Sequence, residues 1–189
     1  CRTEVIIVNP MEYSMSYFFI QDKTVVHTSL PPAGMAPFAQ RTEQLLPPLI
    51  TTLHRNFQAW GALGLSPGPV TADRIWLGAD GQLAFRFNRS DEPAPLLQIG
   101  QAPELAAWLV LLDKWMETFV VIARARSIWT VGELGAALTF MTPAFLPARL
   151  VAQTPDNWAR VAQALAIAVA DGPLAGQSAD RHWQSTGGR

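Results

Sequence analysis

Ionic side chains are scarce in this chain: Asp, Glu, Lys and Arg make up 15% of its 189 residues and nearly cancel, leaving a formal net charge of -1. With a pI near 6.3 there is no basic footprint for DNA or RNA, so nucleic acid is excluded as a partner. Cysteine is nearly absent. Cys1 stands alone, which rules out an internal disulfide or a zinc cluster of the Cys type. Histidine is also sparse, and His27, His54 and His182 show no metal-ligand spacing to one another or to a carboxylate. No cofactor is therefore expected. Long apolar runs are missing too, since the nearest approach, Ile128 to Leu146, contains Glu133 and is interrupted by Pro143. A buried helix explains that run better than a bilayer span.

The chain does have apolar mass, 49% hydrophobic with seven Trp, enough for one domain with a proper core. A surface so poor in charge points to a partner, because apolar patches on soluble proteins tend to be contact sites. A Cys at position 1 is how a mature bacterial lipoprotein starts. A lipid anchor through Cys1 is accordingly the alternative to a cytoplasmic location, and peripheral membrane association stays open.

The clearest local pattern runs from Gly64 to Arg89. An apolar strand, Ile75 to Leu77, is followed by Asp80-Gly81 and a second strand through Leu83 and Phe85, and an Asp-Gly pair between alternating runs is a strong hairpin signal. Upstream, Leu46, Leu49, Ile50, Leu53, Phe57 and Trp60 recur at steps of three and four, predicting a helix within Thr42 to Ala62. Pro47 and Pro48 fit only its first turn, so regular helix should begin near Leu46. Further helices are predicted over Pro103 to Arg124, Val131 to Met141 and Asp156 to Ala170, the last capped by Thr154 with Pro155 at the first helical position. Trp158, Val161, Leu165 and Val169 form its buried stripe. At the N-terminal end Glu4 to Val8 reads as a strand. Tyr13 to Gln21 and Thr24 to Ser29 read as a hairpin turning at Asp22-Lys23 and covered on both faces, and Pro31 to Pro37 as a connector. Asn88 to Gln101 is expected to be an irregular loop.

In this order the features resemble the C-terminal lobe of protein kinases. Gly64, Leu65, Val70, Ile75, Leu77, Asp80, Gly81, Leu83 and Phe85 fall on scaffold positions of that family's catalytic segment. Ala102-Pro103-Glu104 is similar to its Ala-Pro-Glu motif, and Ser127 to Gly132 to the Asp-Ile-Trp-Ser-Leu-Gly that opens its central helix. The resemblance implies an α+β fold: a mostly helical, kinase C-lobe-like domain at residues 39–170 with a central β-hairpin. Residues 1–38 would supply a small N-terminal hairpin packed on it and residues 171–189 a flexible tail. Residues 1–38 contain no glycine-rich loop and no Ala-x-Lys strand, so the nucleotide-binding lobe is missing or reduced to a hairpin.

The chemical positions depart from the family. Pro69 stands where the catalytic Asp would be, Arg74 replaces the metal-binding Asn, and Phe87, Asn88 and Arg89 replace the Asp-Phe-Gly motif. Proline carries no proton acceptor, and a cation and a ring cannot supply the hard oxygens that Mg²⁺ requires. The resemblance thus implies a pseudokinase-like, non-catalytic scaffold: an interaction subunit or assembly factor of a larger complex. Its partner contacts would come from Asp91, Glu92, Leu96 and Leu97 in the activation-segment equivalent and from Trp183 in the tail.

Other constellations compete with that reading. Ser66, His54 and Asp73 can be written as a hydrolytic triple, although no nucleophile-elbow glycines frame Ser66. Asp91 and Glu92 could act as acid and base, but adjacent carboxylates in a Pro-rich loop are usually just solvated. Trp60, Trp108, Trp115 and Trp129 are expected on helices as packing residues. The alternative function is an enzyme or small-ligand binder of another family, with its pocket between the two hairpins.

Overall fold

Two strands rich in aromatic and β-branched residues, β1 (Met15–Gln21) and β2 (Thr24–Thr28), pair antiparallel around Asp22 and Lys23. Both turn residues have positive φ, 49° and 62°, the combination that a two-residue turn needs to match the twist of the strands. The structure, a computed structural model, describes residues 15–41, 46–79, 81–88, 94–95 and 100–172. The strand expected at Glu4 to Val8 and the tail beyond Gly172 lie outside these residues. Tyr17 and Phe19 are buried on one face of β1, while Phe18 and Ile20 are half-buried on the other. One face is thus covered and the other only partly, where cover on both was expected.

The Asp-Gly hairpin forms as β5 (Ile75–Gly78) and β6 (Leu83–Asn88), closed by Gly78 N–H to the Gln82 carbonyl and Gly81 N–H to the Gly78 carbonyl. Gly81 has φ 83°, and a Cβ there would stand 2.9 Å from Thr52 Oγ1 on the neighbouring helix. Gly81→Ala should therefore cost about 1–3 kcal/mol, from unfavourable backbone and the forced shift of Thr52. Equal urea midpoints for variant and parent would contradict this. β1 lies directly beside β6, and the sheet order is β2-β1-β6-β5-β3. The two hairpins are thus one sheet, joined edge to edge. Its last strand is β3 (Met35–Pro37), where the sequence indicated only a connector. Three residues are too few for a periodic signal, and Pro37 is tolerated because β3 is an edge.

Helices follow and interleave. After α1 (Phe38–Arg41), α2 (Leu46–Ala62) buries Leu49, Ile50, Leu53, Phe57 and Trp60; residues 42–45, which bear on where it starts, lie outside the described residues. α3 (Ala102–Leu112) is buried from Leu105 through Leu112, a helix apolar on every side and hence central. The single helix expected over Pro103 to Arg124 is in fact two. α3 stops at Asp113 and α4 (Thr118–Ile128) starts afresh, because the Asp113 carboxylate is inside the core and accepts hydrogen bonds from Thr118 Oγ1 and the Arg160 guanidinium. The break falls on Asp113, Lys114, Glu117 and Thr118, polar residues that an exposed helix face would carry equally well.

Thr130 and Glu133 form a reciprocal capping box at the start of α5 (Val131–Thr139). A short helix unforeseen in the sequence, α6 (Ala148–Gln153), precedes α7 (Asn157–Ala170). Thr154 does not cap α7. Its hydroxyl donates to the Leu150 carbonyl and closes α6 instead, while Pro155 stays in the link before Asp156. In α7, Val161 and Leu165 are buried, while Trp158 and Val169 are half-buried. α4 and α7 run side by side in the same direction, tied by Arg160 to Thr118 at one end and Arg126 to the Gly172 carbonyl at the other. The described residues make an α+β fold of seven helices and a small antiparallel sheet. No helix among them is long and apolar enough to cross a membrane.

Candidate functional site

The loop of residues 64–74, between α2 and β5, brings several polar side chains together. Gly64 turns the chain out of α2 with φ 68°, and β4 (Leu65–Ser66) pairs with β7 (Ala94–Pro95), so the stretch expected to be wholly irregular contains one short ladder. Ser66 is the loop's internal anchor. Its hydroxyl donates to Glu104 in the first turn of α3 and accepts the Gly68 N–H at 3.0 Å. Burial pushes the Glu104 carboxyl up to about 8. The walls beside it are Leu53, Phe57, Trp60, Pro67, Phe85 and Trp108, around a recess with Asn56 as its other polar residue.

Of the positions singled out by the sequence, Pro69 and Arg74 lie within this loop and Phe87 on β6. Pro69 is exposed, whereas Phe87 is buried against Phe18, edge to face at 4.9 Å. The Arg74 guanidinium lies 4.5 Å from the Phe87 ring centroid, and its Nε donates to the Arg86 carbonyl at 3.0 Å. A guanidinium over an aromatic face is attracted by the ring quadrupole, by about 0.5–2 kcal/mol. Gly68 completes the contact, since a Cβ there would stand 3.8 Å from both Arg74 and Phe87. Asn88 ends β6 opposite Met15. Arg89, Asp91, Glu92, Leu96, Leu97, His182 and Trp183 lie outside the described residues.

Asp73 adds an ionic node. Arg149 Nη1 lies 2.7 Å and Arg86 Nη2 3.7 Å from its Oδ2. Ser66, His54 and Asp73 do not converge: Ser66 engages Glu104, His54 sits against Gln58 and Trp129, and Asp73 holds its two arginines. Trp60 and Trp108 pack on helices as expected, but Trp115 is in the α3–α4 link and Trp129 ends α4. No group of three or more His, Cys, Asp or Glu side chains that could hold a metal ion is found among the described residues.

Three residues of this region escape sequence reasoning. Glu104 is visible as part of the Ala-Pro-Glu similarity, but nothing local signals its burial. Arg86 reads as an ordinary outward strand position. Arg149 meets Asp73 across 76 residues of chain, a separation that leaves no pattern to read. No family model, curated protein or solved structure matches this chain.

Proposed function

We propose that the protein is a non-catalytic interaction subunit or assembly factor of a larger complex, built on a degenerate kinase-like C-lobe and acting through protein contacts. The observation that carries this reading is the Arg74–Phe87 stack. In a kinase these two positions would hold magnesium ligands; here a guanidinium covers a buried ring, and the neighbouring base position is the exposed Pro69. Side chains that carry opposite requirements for water and metal are consistent with a scaffold. The large exposed apolar residues Leu30, Phe119, Phe145 and Ile167 supply candidate contacts for a protein partner.

A thermal-shift titration with ATP and Mg²⁺ tests the non-catalytic part. A ligand at a hundred times its Kd adds about 2.7 kcal/mol to stability, a shift of several degrees in a domain of this size. No magnesium-dependent shift is expected at millimolar nucleotide. A saturable shift that requires both ATP and metal would overturn the reading.

A further inference from the structure

We infer that Arg86 and Arg149 form an oxyanion subsite, suited to a phosphate monoester or inorganic phosphate dianion, at the rim of the loop of residues 64–74. The inference rests on the geometry of four side chains and does not depend on the kinase resemblance. Arg86 comes from β6 and Arg149 from the start of α6, and both guanidiniums converge on one Asp73 oxygen. Their two nearest nitrogens therefore stand no farther apart than the sum of those two contacts. The Asp73 oxygen lies between those two nitrogens, so a tetrahedral anion would engage the outward N–H groups of both guanidiniums beside it, at ordinary hydrogen-bond lengths.

Among the described residues, donor supply exceeds demand here. Each guanidinium carries five N–H groups in a fixed fork, and a single carboxylate oxygen engages only one nitrogen from each arginine. The side chains remain 34% and 68% exposed, so an anion in solution can reach them. Arg74 stands behind them, held on the Arg86 carbonyl and over Phe87. Among the described residues of this rim, Arg74, Arg86 and Arg149 with Asp73 sum to a formal charge of +2. Asp73 acts as the spacer that holds the two prongs together.

Amide and arginine Nε–H shifts in the NMR spectrum of the full chain, titrated at constant ionic strength with inorganic phosphate in place of chloride, test the subsite. Saturable shifts on Arg86 and Arg149 are expected, weakened at least tenfold in Arg149→Gln and unchanged in Arg124→Gln, which removes an exposed arginine on α4. A short phosphoserine peptide and its unphosphorylated twin identify the source: tighter binding of the phosphopeptide than of free phosphate marks a protein-borne group, and equal binding marks the free anion. Absence of saturation over the chloride control would overturn the proposal. So would equal weakening in Arg149→Gln and Arg124→Gln, since that is the signature of a diffuse surface field.

Discussion

Raising the pH from 5 to 8 will destabilise this protein through a single carboxyl, and Glu104→Gln will remove that loss. In the folded state burial holds Glu104 protonated up to about 8, against 4.5 for an exposed glutamate. Between those values the unfolded chain has released its proton and the folded chain has not, so the folded state binds more protons. Stability then falls as pH rises through the window and levels off above it. Each unit of difference corresponds to about 1.4 kcal/mol; with partial solvent access, the total loss should be about 2–4 kcal/mol. Gln keeps an acceptor for the Ser66 hydroxyl without an ionisable proton. Guanidinium unfolding of both proteins at pH 5 and 8 is the measurement, read as the difference between their pH dependences because other carboxylates titrate in both. Parallel pH profiles would show that Glu104 ionises freely.

Trp60→Ala should cost about 3–5 kcal/mol, a large share of the 5–15 kcal/mol that holds a typical domain together. The side chain is 1% exposed, meets Phe85 edge to face at 5.8 Å and joins α2 to the sheet beside the Glu104 recess. Removing the indole leaves a cavity that Leu53, Phe85 and Trp108, held by their own neighbours, cannot fill. Trp60→Phe should cost far less, about 1 kcal/mol. The indole Nε1 is buried with no hydrogen-bond partner among the described residues, so phenylalanine gives up volume but also an unsatisfied donor. Phe119→Ala serves as the surface comparison, since that ring is 67% exposed and its removal should change stability by less than about 0.5 kcal/mol. Denaturant midpoints by circular dichroism would separate the three, and a Trp60→Ala midpoint close to that of Phe119→Ala would contradict the packing argument.

Much of the local structure was legible because short-range chemistry governs it. Asp22-Lys23 and Gly81 specify turns, and the apolar steps from Leu49 to Trp60 are the face that the structure buries. The break between α3 and α4 was not legible. Its polar residues, Asp113, Lys114, Glu117 and Thr118, could equally line an exposed helix face, and the hydrogen bonds of Asp113 to Thr118 and Arg160 exist only in the fold. Thr154 has the composition of an N-cap, yet the Leu150 carbonyl one turn back competes for its hydroxyl and wins.

The candidate site divides the same way. That Pro69, Arg74 and Phe87 carry neither a general base nor oxygen ligands is a property of the sequence. That Arg74 rests on Phe87, that Ser66 reaches Glu104, and that Arg149 meets Arg86 across Asp73 was decided by tertiary structure alone. The sequence by itself determined which side chains were available and which local turns and helices they favour, through backbone sterics and apolar spacing over a few residues. Tertiary packing decided which distant charges share a surface and which carboxyl loses its water, because desolvation and ion pairing depend on neighbours that the linear order keeps apart.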